Sequence, residues 1–353
     1  MSFTGGSWSD KFGFRMPPGA RIAGRQGETF NLSVEIPTDD DGFLGQQCPS
    51  CRALFRLDAD DYEALPDDIE LWCAYCGGRG DTGDFLTEQQ MDRIQRAVGD
   101  LGEQIIGNAL DEIFGGIARK SRSRPRGGSG IEITYKSTSF SPKALPGIDE
   151  EALVRVRKCA RCSLRYAVFG EHRFCPSCGP LPSTVVAFDA LAAETARLDA
   201  FAALPPAVAV GLREQGVFNR LWVDTLENLV GIVEVLAGNL FKDAVPDAAL
   251  KLRNKGNIFQ RLDDMAALCV SEGYEDLRTT VGDVTWHRLV DVWAIRHLFT
   301  HNDGIVDAKY ITKAPHSTAQ LGQRLTVTDT LCRQAIADTG VLCRALSPLT
   351  DKP

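Results

Sequence analysis

The chain has 353 residues, 44% of them hydrophobic and 24% charged, with a net charge of −8. That length exceeds what one ordinary core supports, so two or three domains are expected, and the composition excludes a chain that cannot fold. Met1 to Trp8 carries no basic stretch leading into an apolar run, and the apolar stretch Leu226 to Phe241 is broken by Glu227, Glu234 and Asn239. Neither a secretory signal nor a membrane span is expected, and a reducing cytoplasm is the predicted location.

The charge is unevenly spread. Residues 28–112 hold twenty Asp and Glu against five Arg, whereas residues 119–173 hold thirteen Lys and Arg against five acids. The first segment repels polyanions and could meet a protein partner. The second attracts them, unless both are merely solvated surface.

In chain order, residues 1–27 are rich in Gly, Pro and Arg and read as weakly ordered. Phe30 to Ile36 alternates apolar and polar residues, as a half-buried strand does, and Pro37 with Asp39-Asp40-Asp41-Gly42 ends it. Ala53 to Leu57 is a second strand. Thr87 and Gln90 form a capping box, after which Met91, Ile94, Val98, Leu101, Ile105, Leu110, Ile113 and Phe114 make an apolar helical stripe. A basic, Gly-containing linker follows, then a strand signal at Ile131–Tyr135, and Leu153–Val156 leads into the second metal module. Beyond Ser183 the pattern is helical, with helices near 185–203, 207–243, 257–272, 284–303 and 328–346. Gly304 to Val327 reads as extended chain and turns.

Eight of the eleven cysteines fall into Cys-x-x-Cys pairs: Cys48/Cys51, Cys73/Cys76, Cys159/Cys162 and Cys175/Cys178. Each pair offers two sulfurs from one tight turn, and two turns close a tetrahedral cage, so two structural Zn2+ ions are expected. Intervening lengths of 21 and 12 residues suit hairpins facing one another, and glycines follow Cys76 and Cys178. Four thiolates leave no open coordination position, so these sites are closed and non-catalytic. Cys269, Cys332 and Cys343 lie on apolar helical faces and read as core. Near the second ribbon, Arg155, Arg157, Lys158, Arg161 and Arg165 are interleaved with Tyr166, Phe169 and Phe174. That mixture suits phosphate contact and base stacking, or a tiny aromatic core ringed by solvated arginines.

Two of the five histidines occur in Arg296-His297-Leu298-Phe299-Thr300-His301-Asn302-Asp303-Gly304, with Gly304 a natural helix stop. Arg offers a permanent bidentate charge and His titrates near neutrality, so the pair can clamp a phosphate and move a proton. Residues five apart lie about 140° apart on an ideal helix, which favours a site completed by a second copy. Arg296-x4-His301, with polar His297 after the arginine, resembles the Arg-x(4–6)-His motif of HEPN (higher eukaryotes and prokaryotes nucleotide-binding) domains. Gly256 to Leu262, Tyr310 and Gly322-Gln323-Arg324 extend the likeness over about residues 185–347.

That resemblance implies a dimeric helical bundle with metal-independent ribonuclease activity. His301 would be the general acid/base, Arg296 would stabilise the phosphorane, and His297 and Asn302 would position substrate. Many active members carry Asn where this chain has His297. The expected architecture is an α+β multidomain chain: a weakly ordered segment (1–27), a first four-cysteine zinc ribbon (28–86), an amphipathic helix (87–118), a basic linker (119–130), a second four-cysteine zinc ribbon (131–183) and an all-α HEPN-like bundle (184–347). The expected function is an endoribonuclease of bacterial defence or RNA processing, with ribbons that recognise nucleic acid or a partner. A non-catalytic zinc-ribbon adaptor is the alternative, and a transcription-associated zinc-ribbon protein a third.

Overall fold

The computed structural model describes residues 13–122, 140, 142–148, 155–315 and 317–350; the strand expected over Ile131–Tyr135 and the linker beyond Arg122 lie outside them. The chain divides into two compact units, Met1–Phe169 with Phe174–Gly179, and Gly170–Arg173 with Pro180–Pro353.

The first unit opens with an antiparallel hairpin of β1 (Ala20–Gln26) and β2 (Thr29–Val34). β1 falls in the stretch whose composition reads as weakly ordered. It is ordered because Met16 and Ile22 bury against Leu101, with Phe14 and Phe30 edge-on at 5.3 Å. β3 (Phe43–Gln47) and β4 (Leu54–Asp58) form the next hairpin, and α1 (Ala59–Glu63) starts on the Asp58 side chain, which accepts the Asp61 N–H. β5 (Glu70–Trp72) pairs with β6 (Arg79–Asp81).

α2 (Glu88–Arg122) begins at the expected capping box, with Thr87 N to Gln90 Oε1 at 3.0 Å and Gln90 N to Thr87 Oγ1 at 3.2 Å. It runs through Gly115 to Arg122, so the start of the expected linker is helical. Most of the sequence stripe is not its packed face: Met91, Val98, Ile105, Leu110, Ile113 and Phe114 are exposed and Ile94 is half-buried, while only Leu101 of the stripe is buried, together with Gln90, Ala97, Asp100 and Gln104. Hydrogen bonding explains the inversion. Gln104 takes the Arg15 N–H at 2.7 Å and donates to the Arg15 carbonyl at 2.8 Å, and Gln90 donates to the Gly45 carbonyl at 2.9 Å. These amides satisfy backbone groups, on the segment before β1 and on β3, that apolar side chains would leave unmet.

β7 (Arg155–Lys158) and β8 (Arg165–Val168) form a hairpin like β3–β4, and β9 (Phe174–Cys175) with β10 (Gly179–Pro180) repeats β5–β6. The two ribbons read from the sequence as separate modules. β4 and β8 nevertheless pair antiparallel, giving one four-stranded sheet in the order β3-β4-β8-β7. The seam is apolar: Phe55, Leu57, Tyr166 and Val168 are all at most 1% exposed. Arg165 reaches across it to Asp58 at 2.6 Å and Asp61 at 3.0 Å.

The second unit is helical: α3 (Ser183–Ala202), α4 (Pro206–Glu214), α5 (Val217–Ala244), α6 (Ala248–Lys251), α7 (Leu262–Ser271), α8 (Leu277–Val281), α9 (Asp283–Asn302), α10 (Ala308–Lys313) and α11 (Asp329–Leu346). The long helix expected over 207–243 is split at Gly216, whose left-handed φ of 75° ends one helix and admits the next. α5 is the axis of this unit, packed against α3, α9 and α11. Its Leu226, Leu229, Val233, Leu236 and Phe241 meet Leu289 of α9 and Leu342 of α11 in one continuous core. Cys269, Cys332 and Cys343 are buried there, as expected, and burial pushes their thiols up to about 11, 12 and 12. No helix among the described residues is long and apolar enough to cross a membrane.

Leu289 is fully buried where α9 meets that core. Leu289→Ala removes this packing and leaves a cavity, so chemical denaturation followed by helical circular dichroism should show a loss of about 2–5 kcal/mol.

Candidate functional site

Each Cys-x-x-Cys pair sits in the turn of a hairpin: Cys48/Cys51 between β3 and β4, Cys73/Cys76 between β5 and β6, and the later pairs in the corresponding turns. The eight thiols gather into two groups of four, each with its sulfurs within 4.8 Å of one another. Sulfur separations are 3.7 Å for Cys48–Cys76 and Cys51–Cys73, 3.5 Å for Cys159–Cys178 and 3.6 Å for Cys162–Cys175. A tetrahedral metal with sulfur bonds of about 2.3 Å separates its ligands by about 3.8 Å, so both groups can hold a metal ion without rearrangement.

The turns also aim backbone N–H groups at sulfur. Cys51 N lies 3.5 Å from Cys48 Sγ and Gly78 N lies 3.4 Å from Cys76 Sγ. Burial raises the Cys48 and Cys159 thiols, yet the N–H groups of the following turns outweigh it and lower both to about 7. At Cys73 and Cys175 burial dominates and the thiols are pushed well up. The first and third cysteines of the two clusters thus correspond.

The clusters also interlock. Trp72, just before Cys73, stacks on Phe174, just before Cys175, at 5.8 Å and 13°. Trp72 N donates to the Pro176 carbonyl at 2.8 Å, and Phe174 N donates to the Ala74 carbonyl at 3.1 Å. Gly77 (φ 72°) lies under the Phe174 ring, and Gly179 (φ 79°) lies under Trp72; an added Cβ would come within 2.5 Å and 2.9 Å of those rings. The exchange is reciprocal, as in an approximate two-fold pair.

The basic residues of the second ribbon divide. Arg165 is tied to Asp58 and Asp61 and so holds the two ribbons together, whereas Arg161 donates to the Cys178 carbonyl within the second ribbon. Arg157 and Lys158 lie on β7, and the side chain of Arg155 is outside the described residues. Tyr166 is buried and Phe174 is stacked in the interlock, leaving Phe169 exposed with Arg56 over its ring at 5.7 Å.

In the helical unit, α9 and α10 border a cleft of about 1020 Å³. Arg296, His297 and His301 of α9 all line it, with Lys309 and Lys313 of α10 and Arg261 before α7. The separation expected from a five-residue spacing is bridged because the cleft is broad enough to take both faces of the helix. His297 and His301 are one turn apart, their rings 4.5 Å from centroid to centroid at 57°. Lys309 Nζ lies 3.2 Å from His297 Nε2. His297 is held below the usual histidine range by burial first, then by Lys309, Lys313, His301 and Arg296. Trp293 Nε1 and Arg296 Nε, at the cleft, are buried and have no hydrogen-bond partner among the described residues.

Asn302 does not line this cleft. Its Nδ2 donates to the Ile305 carbonyl at 2.6 Å and closes the turn after α9, where Gly304 (φ 76°) lies against the Phe299 ring. Lys309 and Lys313 were not singled out by the sequence, which reads their segment as extended. The signal that could have found them was local: Asp307, whose side chain accepts the Tyr310 N–H, starts a short helix that puts two lysines four residues apart on one face.

Comparison with protein-family models, curated proteins and solved structures gives no significant match to this chain.

Gly77→Ala places a methyl group inside the Phe174 ring and strains a left-handed backbone. It should lower the thermal midpoint of the ribbon unit, by an amount equivalent to about 1–3 kcal/mol. Gly83→Ala, where an added Cβ meets nothing within 4 Å, serves as the matched control and should leave the midpoint nearly unchanged.

Proposed function

We propose that this protein is a HEPN-like, metal-independent endoribonuclease of a bacterial defence or RNA-processing system, acting in the cytoplasm. Its chemistry lies in the cleft of the helical unit, and its first unit is a double zinc ribbon that contacts RNA or a protein partner. The observation that carries this reading is the convergence of Arg296, His297, His301, Lys309 and Lys313 on one cleft. The exposure of His301 and the unmet Arg296 Nε favour an open reactive site over a sealed internal network, and so favour the enzyme over a non-catalytic adaptor.

In the reaction, His297 takes the proton from a ribose 2′-hydroxyl as O2′ attacks phosphorus. The bond from phosphorus to O5′ breaks, and His301, entering as imidazolium, returns a proton to O5′. Arg296 and Lys313 neutralise the charge that builds on the phosphorane. The products are a 2′,3′-cyclic phosphate and a 5′-hydroxyl. Asn302 shapes the turn that presents His301. A homodimer, which the family resemblance implies, would pair two such sites rather than complete one.

The thiolate groups would each hold one structural Zn2+, chosen over other metals because four soft sulfurs in a tetrahedron suit it. When bound, zinc neutralises thiolate charge and stabilises the ribbons, and takes no part in the cleavage step. Arg157 and Lys158, on the outer strand of the sheet, are the basic residues best placed to meet RNA.

Elemental analysis of the reduced protein should give two zinc per chain. Purified wild type should cleave RNA with EDTA present over the assay, and His301→Ala should lower the rate by about 10²-fold or more with an unchanged melting temperature. A folded His301→Ala variant as active as wild type would sink the reading.

A further inference from the structure

Lys309 lies directly against the cleft histidine. Its ammonium is 3.2 Å from His297 Nε2, and among the described residues it makes no ion pair. A lysine ammonium only donates, so Nε2 must accept, which places the ring proton on Nδ1 and keeps the ring uncharged. This contact is built rather than incidental. α10 is pinned to α9 by a small core of Ala294, Leu298, Val306, Tyr310 and Ala314, and Asp307 caps its start. That core sets the position from which Lys309 meets His297.

We propose that Lys309 is a positioning residue that acts through His297: it holds Nε2 while the cleft is empty and surrenders it to the substrate when a phosphodiester arrives. The phosphate oxygens are stronger acceptors for an ammonium than a neutral imidazole, because the bond becomes charge-assisted on both sides. Once Lys309 turns to the phosphate, Nε2 is free, neutral and already in the tautomer that can accept the 2′-hydroxyl proton. The base is therefore exposed only when substrate is bound. This inference rests on the ribonuclease reading of the same cleft.

The groups facing His297 are Arg296 and His301 on its own helix and Lys309 and Lys313 on α10. Asp263 and Asp264 of α7 and Asp283 and Asp291 of α9 also line the cleft. Arg296, Lys309, Lys313 and His301 all favour the neutral ring; His301 packs against its face, and Lys309 is the one of the four that meets Nε2.

The test is NMR titration of His297 in the full-length protein, assigned by difference with His297→Ala. Lys309→Met should raise the His297 titration point towards the ordinary histidine value, and Lys309→Arg should leave it low. Lys313→Met, which removes charge without a contact, should move it less. Inorganic phosphate should raise His297 in wild type and much less in Lys309→Met. In cleavage assays, loss of rate on the acid side marks protonation of the base, so that limb should move to higher pH in Lys309→Met. A His297 titration unmoved by Lys309→Met, or moved equally by Lys313→Met, would overturn the proposal. Wild type that cleaves no RNA at any pH would instead overturn the ribonuclease reading, and the titration alone would then judge the contact.

Discussion

Like charge gathered at short range, and therefore a counter-charge drawn in, is the constraint on which both units depend. Four sulfurs within 4.8 Å cannot all ionise without a cation among them. One wall of the helical cleft gathers the opposite charge, Arg296, Lys309 and Lys313 around two histidines, although aspartates line the cleft elsewhere. The thiol groups can hold a metal cation, and the cationic wall of the cleft favours an anion.

The ribbon unit answers its constraint by sharing. A single ribbon buries too little apolar surface to hold its own thiolates together. Here the β4–β8 seam adds Phe55, Leu57, Tyr166 and Val168 to a common core, and the Trp72–Phe174 stack locks the second pair of hairpins. Arg165 adds a polar contact across the seam to Asp58. Each metal site is thereby supported by residues from the other half of the unit.

The thiolate pairs were legible in the sequence because metal ligation imposes a short, fixed spacing on residues with few other uses. The Thr87–Gln90 capping box and the three core cysteines were legible for the same local reason. The β4–β8 pairing was not, since Leu57 and Tyr166 meet across more than a hundred residues with no local mark of the encounter. The stripe on α2 was visible, but apart from Leu101 most of it lies off the packed face, because glutamine amides won the contact with backbone. Arg296, His297 and His301 were recognised as a motif. Their meeting in one cleft, and the lysines of α10 that complete it, depended on a six-residue helix too short to show a period.

The most direct measurement compares an RNA oligonucleotide with a version carrying 2′-deoxyribose at the scissile position, under conditions where both bind. Attack by the neighbouring hydroxyl predicts that wild type cleaves the RNA, leaves a 2′,3′-cyclic phosphate and does not cut the 2′-deoxy linkage. Equal cleavage of both oligonucleotides, or 5′-phosphate ends on the products, would contradict it.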